Sequence, residues 1–340
     1  MQSENSKTNH ARRLQAFAAL WAALVMTCVG AWPAKAELFF VYVANGRDNV
    51  SVIDTASNSM VATIPVAGDA RGIAVTPDGK QVWVTNSDAD SISVINTASN
   101  AAAGNIPVQR FPTSVAISPD GKRAYVSNFN SNSVSVLDTR EQKVTATVQL
   151  GTNPTGASGL AISPDGTRVY VTNTKSGDVS VINTGNNTIA ATIPVGGAPG
   201  VNPQIVVSPD GKRAYAGLPA AVSVIDTASN TVVATVSGLS APFGMAVTPD
   251  GKRVYVANFS SPTVSVIDTA TNAVVATVTG LQNTPTEVAV TPDGKNVYVA
   301  NDDSSTNTGF VSVIDTATNR IATTIKVQPR PFGIAVGPPR

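Results

Sequence analysis

The sequence predicts an all-β chain folded as a seven-bladed β-propeller, and three observations support this fold class. A repeat of about forty residues occurs seven times, marked by an aromatic residue at spacings of 41, 42, 45, 45, 40 and 43 residues. Each marker precedes a run similar to VSVIDT, and six markers follow a Pro-Asp-Gly turn. Charged residues make up 13% of the chain, about half the usual ~25%, as stacked sheets with buried faces require. Four short strands per repeat at this period are typical of a propeller blade. The markers are Tyr42, Trp83, Tyr125, Tyr170, Tyr215, Tyr255 and Tyr298.

The second repeat shows the four antiparallel strands of one blade. The innermost strand is predicted at 72–75, where small residues alternate with β-branched ones, as crowding near the axis requires. Thr76-Pro77-Asp78-Gly79 follows as a turn, because Pro77 presets φ and Gly79 accepts a left-handed backbone. The second, third and outer strands are predicted at 80–86, 91–96 and 102–108.

The two ends of the repeat region complement each other. The first marker, Tyr42, has no inner strand before it, whereas 332–336 reads FGIAV with no blade after it. We therefore expect the C-terminal strand to complete the N-terminal blade, which joins the first and last blades and removes exposed sheet edges.

Residues 1–36 differ in composition from the rest of the chain. A polar, basic start leads into an apolar run over 14–32, and Ala34-Lys35-Ala36 matches the small-residue pattern of a signal-peptidase site. The sequence predicts cleavage after Ala36 by a Sec-type route. A single propeller, 37–340, would remain, located in the periplasm or outside the cell and without stable membrane insertion.

Cleavage at that point would remove the only histidine, His10, and the only cysteine, Cys28. The mature chain would then lack disulfides, thiolate nucleophiles, Ser-His-Asp triads and imidazole metal ligands. We accordingly expect no metal and no cofactor. Loss of four of the 23 basic residues and one of the 22 acidic residues leaves a net charge near −2, which disfavours a dedicated nucleic-acid-binding role.

Six of the seven repeats carry a Tyr-Val-x-Asn-like motif. These are Tyr42-Val43-Ala44-Asn45, Trp83-Val84-Thr85-Asn86, Tyr125-Val126-Ser127-Asn128, Tyr170-Val171-Thr172-Asn173, Tyr255-Val256-Ala257-Asn258 and Tyr298-Val299-Ala300-Asn301. Over nearly all of 38–336 the chain resembles the YVTN-repeat, YncE-like propellers. The resemblance implies a seven-bladed propeller that is secreted or periplasmic. Many members lack a known activity, and nucleic-acid binding has been proposed for some. The fifth repeat, Tyr215-Ala216-Gly217-Leu218, departs from the motif, so its loop should differ.

Residues shared by all repeats are expected to serve the scaffold. The motif Asn is predicted to bond loop backbone, the Asp of the VIDT run to cap a turn, and Trp83 to pack like the tyrosines. Nine cations that follow Pro-Asp-Gly turns are expected on one face. They could bind a phosphate-rich partner, or be solvated and neutralised by turn aspartates. They are Lys80, Lys122, Arg123, Arg168, Lys212, Arg213, Lys252, Arg253 and Lys295.

Differences between repeats are the better guide to function. At the start of the inner strand six copies carry Gly72, Ser114, Gly159, Gln204, Gly244 and Gly333, whereas the remaining copy carries Glu287. Aromatic and guanidinium groups lie next to these positions in the sequence. The candidate ligand-binding residues are Arg71, Arg110, Phe111, Phe243, Glu287, Arg330 and Phe332. We expect Arg71, Phe243, Glu287 and Phe332 to form an arc at the mouth of the axial funnel.

Two structural interpretations of this arc stay open. It could be a pocket for a planar anionic or sugar-like ligand, or a plug in which Arg71 pairs with Glu287. The first function predicted is a non-catalytic binding or scaffold protein that holds a periplasmic or surface protein or a small anionic or polar ligand. We expect this protein to be a monomer. A lyase or hydrolase using Glu287 with Arg71 or Arg330 is the alternative, although a nearby Arg would oppose a raised pKa. Single-stranded nucleic-acid binding is the second alternative.

Two further polar features stand out on the rim. Lys175 lies near Asp178, and Asp302 and Asp303 begin a longer loop, 301–310. These two aspartates could bind calcium weakly, but the spaced oxygen ligands of a calcium loop are missing.

Overall fold

The computed structural model describes residues 39–151, 156–196, 204–303 and 307–338. These residues contain seven four-stranded antiparallel sheets, which confirms the predicted fold class. Each sheet corresponds to one sequence repeat, because the short strands are separated by turns that return the chain antiparallel. A single 3-10 turn lies at Phe129–Ser131 within the described residues.

The strands are numbered β1 to β28 in chain order and the sheets are blades 1 to 7. Blade 1 contains β28 (Pro331–Val336), β1 (Phe40–Asn45), β2 (Asn49–Asp54) and β3 (Ser59–Pro65). Blade 2 contains β4 (Ala70–Val75), β5 (Gln81–Asn86), β6 (Ser91–Asn96) and β7 (Ala101–Pro107). Blade 3 contains β8 (Pro112–Ile117), β9 (Arg123–Asn128), β10 (Ser133–Asp138) and β11 (Lys143–Gln149). Blade 4 contains β12 (Ala157–Ile162), β13 (Arg168–Asn173), β14 (Asp178–Asn183) and β15 (Thr188–Pro194).

The remaining three blades follow the same order from the innermost strand outward. Blade 5 contains β16 (Ile205–Val207), β17 (Arg213–Gly217), β18 (Ala221–Asp226) and β19 (Thr231–Ser237). Blade 6 contains β20 (Pro242–Val247), β21 (Arg253–Asn258), β22 (Thr263–Asp268) and β23 (Ala273–Val278). Blade 7 contains β24 (Thr284–Val290), β25 (Asn296–Asp303), β26 (Thr308–Asp315) and β27 (Arg320–Val327).

Blade 2 shows how the repeat specifies its strands. The four predicted strands are present within two residues of their predicted bounds. In the turn between β4 and β5, the Thr76 hydroxyl donates to Asp78 Oδ1 at 2.7 Å. Gly79 has a φ of 70° and its N–H donates to the Thr76 carbonyl at 2.8 Å. The turn therefore requires a glycine at this position, because a Cβ disfavours a left-handed backbone.

The ring closes as the sequence predicts. β28 pairs antiparallel with β1, so blade 1 takes its innermost strand from the C-terminal end of the chain. At the same junction the Tyr298 hydroxyl of blade 7 donates to Asn58 Oδ1 of blade 1 at 3.0 Å. Tyr298 also packs in one apolar cluster with Val41 and Ile334. Backbone pairing, a hydrogen bond and apolar packing thus join the first and last blades.

The marker aromatics fill the space between neighbouring sheets. All seven are at most 1% exposed, and burial of such side chains is a large stabilising contribution. Trp83 packs like the tyrosines, and its Nε1 donates to Gln81 Oε1 at 3.1 Å. Its predicted packing role is confirmed.

Glycine at the third position of an inner strand allows the next inner strand to approach. A Cβ built on Gly72 would lie 2.7 Å from the Ser114 Cα, and one on Gly244 would lie 2.4 Å from the Glu287 Cα. Real Cβ atoms do not approach this closely, so Gly72 and Gly244 are required where the neighbouring inner strand comes this near. At the equivalent position Ser114, Gln204 and Glu287 carry side chains.

Blade 5 differs from blades 2, 3, 4 and 6 in the loop between its second and third strands. This loop has three residues, 218–220, as in blade 1, whereas those four blades have four, and the Leu218 N–H donates to the Ala221 carbonyl at 2.8 Å. With no motif Asn available, the Ser223 hydroxyl donates instead to the Val195 carbonyl of blade 4 at 2.9 Å. The predicted difference in this loop is confirmed.

The predicted signal segment 1–36 lies outside the described residues. Among the residues that are described, no helix has the length and apolar character needed to cross a membrane.

Candidate functional site

The Pro-Asp-Gly turns lie on one face of the ring, which we call the turn face. Each turn aspartate accepts a hydroxyl and a backbone N–H, and these bonds hold its pKa below the ordinary value. In Asp120, for example, the Ser118 hydroxyl is the largest cause and the Lys122 N–H the second. Such hydrogen bonds favour the ionised carboxylate, so the turns carry fixed negative charge.

Eight of the nine cations of the turn face, all except Lys212, have a local carboxylate or carbonyl partner. Four lysines have their ammonium 3.5–4.0 Å from a turn carboxylate and remain largely exposed. Three arginines donate to a threonine carbonyl of the next blade: Arg123 to Thr184, Arg168 to Thr227 and Arg253 to Thr316. Arg213 pairs with Asp226 of its own blade. The cations therefore connect blades or balance turn aspartates, which supports the scaffold interpretation.

Four grooves of 510, 500, 430 and 340 Å³ lie on the turn face between adjacent blades. Each is lined by the Pro-Asp-Gly turns of two neighbouring blades and by the residues beside them. Because the grooves repeat with the scaffold, they do not single out one blade as a binding site.

The motif asparagines bond third-strand hydroxyls and, at some positions, the loop backbone as predicted. Asn128 Nδ2 donates to Ser133 Oγ at 3.2 Å and to Ser135 Oγ at 3.0 Å. Bonds to third-strand hydroxyls also form in blades 1, 2, 4, 6 and 7, because these hydroxyls point to the same side of the sheet. The predicted bond to loop backbone forms at two motif asparagines: Asn258 Oδ1 accepts from the Ser240 N–H at 3.2 Å, and Asn86 Nδ2 donates to the Ala67 carbonyl at 2.7 Å.

The turn between the third and outer strands has a signal that sequence reasoning missed. The Asp that ends the third strand caps this turn as predicted; Asp268 Oδ1 accepts from the Ala270 and Thr271 N–H groups. Four residues after the Asp comes a residue with positive φ, such as Asn272 at 53°. Asparagine tolerates this conformation better than most residues. The repeated TASN and TATN runs could have predicted it.

The opposite face, which we call the funnel face, carries the loops that enter the inner strands and the loops between the second and third strands. Arg71 is its central residue. Its guanidinium carbon lies 4.9 Å from the centre of the Phe111 ring and 5.1 Å from that of Phe332. Its Nε donates to Asp69 Oδ2 at 2.7 Å. Within the described residues its terminal nitrogens have no hydrogen-bond acceptor, so they can donate to an anionic group of a ligand.

Aromatic rings continue from Arg71 in both directions. On one side Phe332 contacts Phe243 edge-to-face at 5.4 Å, and Phe243 lies 5.5 Å from Phe259. On the other side Phe111 lies 6.2 Å from Phe129. The structure thus brings three residues of the predicted arc, Arg71, Phe243 and Phe332, into one connected cluster. Phe111 joins them, whereas Glu287, the fourth residue of the arc, has no ring or cation contact with the cluster among the described residues.

Phe129, Phe259 and Lys175 were not among the candidate ligand-binding residues. The Lys175 Nζ lies 5.4 Å from the centre of the Phe129 ring and extends the cluster by one cation. A sequence signal was present, because Phe129 and Phe259 directly follow motif asparagines and Lys175 comes two residues after one. We call the connected set the funnel ladder. It consists of Lys175, Phe129, Phe111, Arg71, Phe332, Phe243 and Phe259.

Glu287 lies on β24. This strand packs between β20, which carries Phe243, and β28, which carries Phe332. Its carboxyl accepts from the N–H of Val288 at 3.3 Å, and the Met245 N–H contributes as well. Enclosure by protein raises the pKa of Glu287 to about 8, against a smaller opposing effect of these two N–H groups.

The expected Arg71–Glu287 ion pair is not formed among the described residues, because Asp69 is the partner of Arg71. The plug interpretation in that form is wrong. The expected opposition of an arginine to a raised pKa of Glu287 is also wrong: burial raises this pKa, and among the described residues only the N–H groups of Val288 and Met245 lower it.

Arg110 and Arg330 lie outside the funnel ladder. Arg110 is exposed, and its backbone N–H donates to Ser131 Oγ at 2.9 Å. Arg330 is exposed with a φ of 61°, and its carbonyl accepts from the Gly46 N–H at 2.6 Å. Its charge acts on Asp302, where it partly offsets the burial that raises the pKa of that carboxyl.

Asp302 and Asp303 do not form a calcium site with a third acidic residue. Across the described parts of the chain, no group of three or more His, Cys, Asp or Glu side chains is placed to hold a metal ion.

Comparison with known proteins agrees with the fold. The family model for Lactonase, 7-bladed beta-propeller, matches residues 95–207, about a third of the chain. None of the curated proteins compared with the chain matches it.

Three solved structures show the extent of the structural similarity. Hydrazine synthase of Kuenenia stuttgartiensis is 26% identical with a TM-score of 0.68, over 79% of this chain and 90% of that chain. A functionally unknown protein of Desulfotomaculum acetoxidans DSM 771 is 18% identical with a TM-score of 0.75, over 88% and 99%. Dihydro-heme d1 dehydrogenase NirN, in complex with DHE, is 16% identical with a TM-score of 0.64, over 88% and 75%. These similarities concern the propeller; the chemistry must be inferred from the residues of this chain.

Proposed function

We propose that this protein is a non-catalytic binding propeller of the YVTN-repeat, YncE-like type, which acts in the periplasm or outside the cell. The motif asparagines support the assignment, since each of the six bonds a third-strand hydroxyl as a repeated scaffold element. The basic and apolar composition of 1–36 supports export.

The ligand we propose is a small flat anion bound at Arg71. One observation carries this proposal: the guanidinium is held between the Phe111 and Phe332 rings with its terminal nitrogens free of acceptors among the described residues. Asp69 fixes the orientation of the guanidinium and offsets part of its charge. Affinity should therefore come from paired N–H donors and ring contacts more than from net charge.

Fluorescence titration of the purified protein with 2-naphthoate tests this proposal, with the neutral 2-naphthamide as the paired ligand. We expect 2-naphthoate to bind more tightly than the amide. Arg71→Ala should weaken naphthoate binding by about tenfold, the effect of losing ~1.4 kcal/mol. Lys122→Ala, which removes an exposed cation of the turn face, should leave binding unchanged. Equal binding of both ligands, or no effect of Arg71→Ala, would reject the site.

A single-stranded thymidine oligonucleotide separates this function from nucleic-acid binding. Binding to phosphates weakens steeply with salt. Tight oligonucleotide binding that falls with added salt and depends on Arg71, together with weak naphthoate binding, would replace the small anion with a nucleic acid.

A hydrolase is the second candidate function. A pKa of about 8 keeps Glu287 protonated at neutral pH, and a protonated carboxyl can act as a general acid. The partial match to the lactonase model points to a lactone as test substrate. Hydrolysis of δ-valerolactone above background that is lost in Glu287→Gln would establish catalysis. A rate equal to the buffer rate supports the binding function.

A further inference from the structure

We propose that the ligand of the funnel face is an elongated dianion with a flat apolar middle, bound by Arg71 at one end and by Lys175 at the other. This inference rests on the proposed function, because it places the first anionic group at Arg71. It adds a second anionic subsite in blades 3 and 4.

The funnel ladder is continuous between Lys175 and Arg71. From Lys175 to Arg71 each residue contacts the next, through the rings of Phe129 and Phe111. Both rings are partly exposed. A ligand that reaches from one cation to the other must therefore cross two aromatic side chains, and a flat apolar segment suits such a surface.

Contacts with its neighbours hold the Lys175 side chain in place. Gly156 has a φ of 66°, and a Cβ there would lie 3.2 Å from both the Lys175 Cγ and the Phe129 Cε2. The lysine stem and the ring thus pack on the bare backbone of this glycine. The Thr174 N–H donates to the Gly156 carbonyl at 3.0 Å and fixes the chain beside Lys175.

The charge of Lys175 is not balanced by an acid among the described residues. No carboxylate there lies within ion-pair distance of Lys175, in contrast to four of the five lysines of the turn face. The neighbouring acid, Asp178, accepts instead from Asn173 Nδ2 at 2.6 Å. The Lys175 ammonium is therefore available to an anionic group of a ligand.

Titration with 4,4′-stilbenedicarboxylate and with the matching 4-stilbenecarboxylate tests the second subsite. We expect the dianion to bind more tightly than the monoanion. Lys175→Met keeps the apolar stem and removes the charge, so it should weaken the dianion by about fivefold, the upper range for an exposed ion pair. The monoanion should bind this variant unchanged. Lys122→Met on the turn face is the matched control and should affect neither ligand.

Arg71→Ala should weaken both stilbene ligands. If the monoanion depends on Arg71 but Lys175→Met leaves the dianion unaffected, the second subsite is wrong and the proposed function stands. Equal weakening of both ligands by Lys175→Met also rejects the subsite, because that charge would not act on the second anionic group. If neither ligand depends on Arg71, the proposed function itself fails.

Discussion

Glu287 shows at the scale of one residue how an exception to the repeat acquires unusual chemistry. Five of the other inner strands carry Gly or Ser at this position and one carries Gln. Its carboxyl fills the space left by Gly244 on the neighbouring strand, where a Cβ would lie 2.5 Å from Glu287 Oε1. Within the described parts of the chain, the N–H groups of Val288 and Met245 are the groups that lower the pKa of this carboxyl, and neither is a cation. Desolvation then dominates over hydrogen bonding and favours the protonated form.

The raised pKa of Glu287 predicts a pH-dependent effect of Glu287→Gln. The unfolded chain loses this proton near its ordinary pKa of 4.5, whereas the folded chain retains it up to about 8. The native protein therefore loses stability as the pH rises between these values, while a neutral glutamine does not. We expect the free energy of unfolding of the variant, relative to the native protein, to be larger at pH 8 than at pH 4.5. Urea unfolding at both pH values measures it, and a constant difference would contradict the prediction.

Gly244→Ala tests the close approach of inner strands. The new Cβ would overlap with the Glu287 Cα, its carboxyl and the Thr286 carbonyl, so the free energy of unfolding should fall by about 1–3 kcal/mol. Gly104→Ala is the control, because a Cβ there has no atom within 4 Å. It should leave stability unchanged or raise it by about 0.5–1 kcal/mol. Similar losses in both variants would show that the approach of the strands is not responsible.

At the scale of the elements, adjacent blades are connected by a few directed hydrogen bonds in addition to their apolar clusters. The Tyr255 hydroxyl donates to Asn319 Oδ1 of blade 7 at 2.7 Å. The Tyr298 hydroxyl makes the equivalent bond to Asn58 of blade 1. The left-handed turn asparagine thus has two roles, because it forms the turn and accepts from the preceding blade.

Tyr298→Phe should reveal the contribution of the bond at the closing junction. The variant loses the donor and leaves the Asn58 oxygen unpaired, which should lower the free energy of unfolding by about 1 kcal/mol. Tyr215→Phe is the matched control, because among described residues its hydroxyl has no acceptor and the corresponding Asn272 Oδ1 is unpaired. Its stability should change by less than about 0.5 kcal/mol. Chemical denaturation measures both, and equal losses would show that the Tyr298–Asn58 hydrogen bond is not responsible.

At the scale of the whole molecule, the shared blade 1 makes one ring of seven sheets. Deletion of 331–340 removes β28, exposes the β1 edge and breaks the link between blades 1 and 7. We expect a sharply lower melting temperature or aggregation. Deletion of 339–340 alone, which leaves β28 intact, is the control and should melt like the full chain. An unchanged melt after the longer deletion would contradict closure by this strand.

Export is a second property of the whole chain. We expect the protein secreted by a bacterial host to begin at Glu37, because Ala34 and Ala36 provide the small residues of a cleavage site. Intact-mass measurement of the exported protein identifies the first residue. A chain that retains Cys28 would reject this processing, and the exclusion of thiol chemistry with it.

Sequence periodicity alone determined the seven blades, the Pro-Asp-Gly turns, the burial of Tyr42 and its counterparts and the closure by 331–336. Each depends on local turn chemistry or on a pattern that every blade repeats. The partner of Arg71 was decided only by tertiary structure. Asp69 lies two residues from Arg71 in the sequence, and Phe332 lies at the far end of the chain. Whether Asp69 or Glu287 pairs with Arg71 depends on distances in the folded chain, which no repeat pattern encodes. Likewise, only the tertiary structure places Lys175 beside the Phe129 ring and the backbone of Gly156, which lie in other connections between strands.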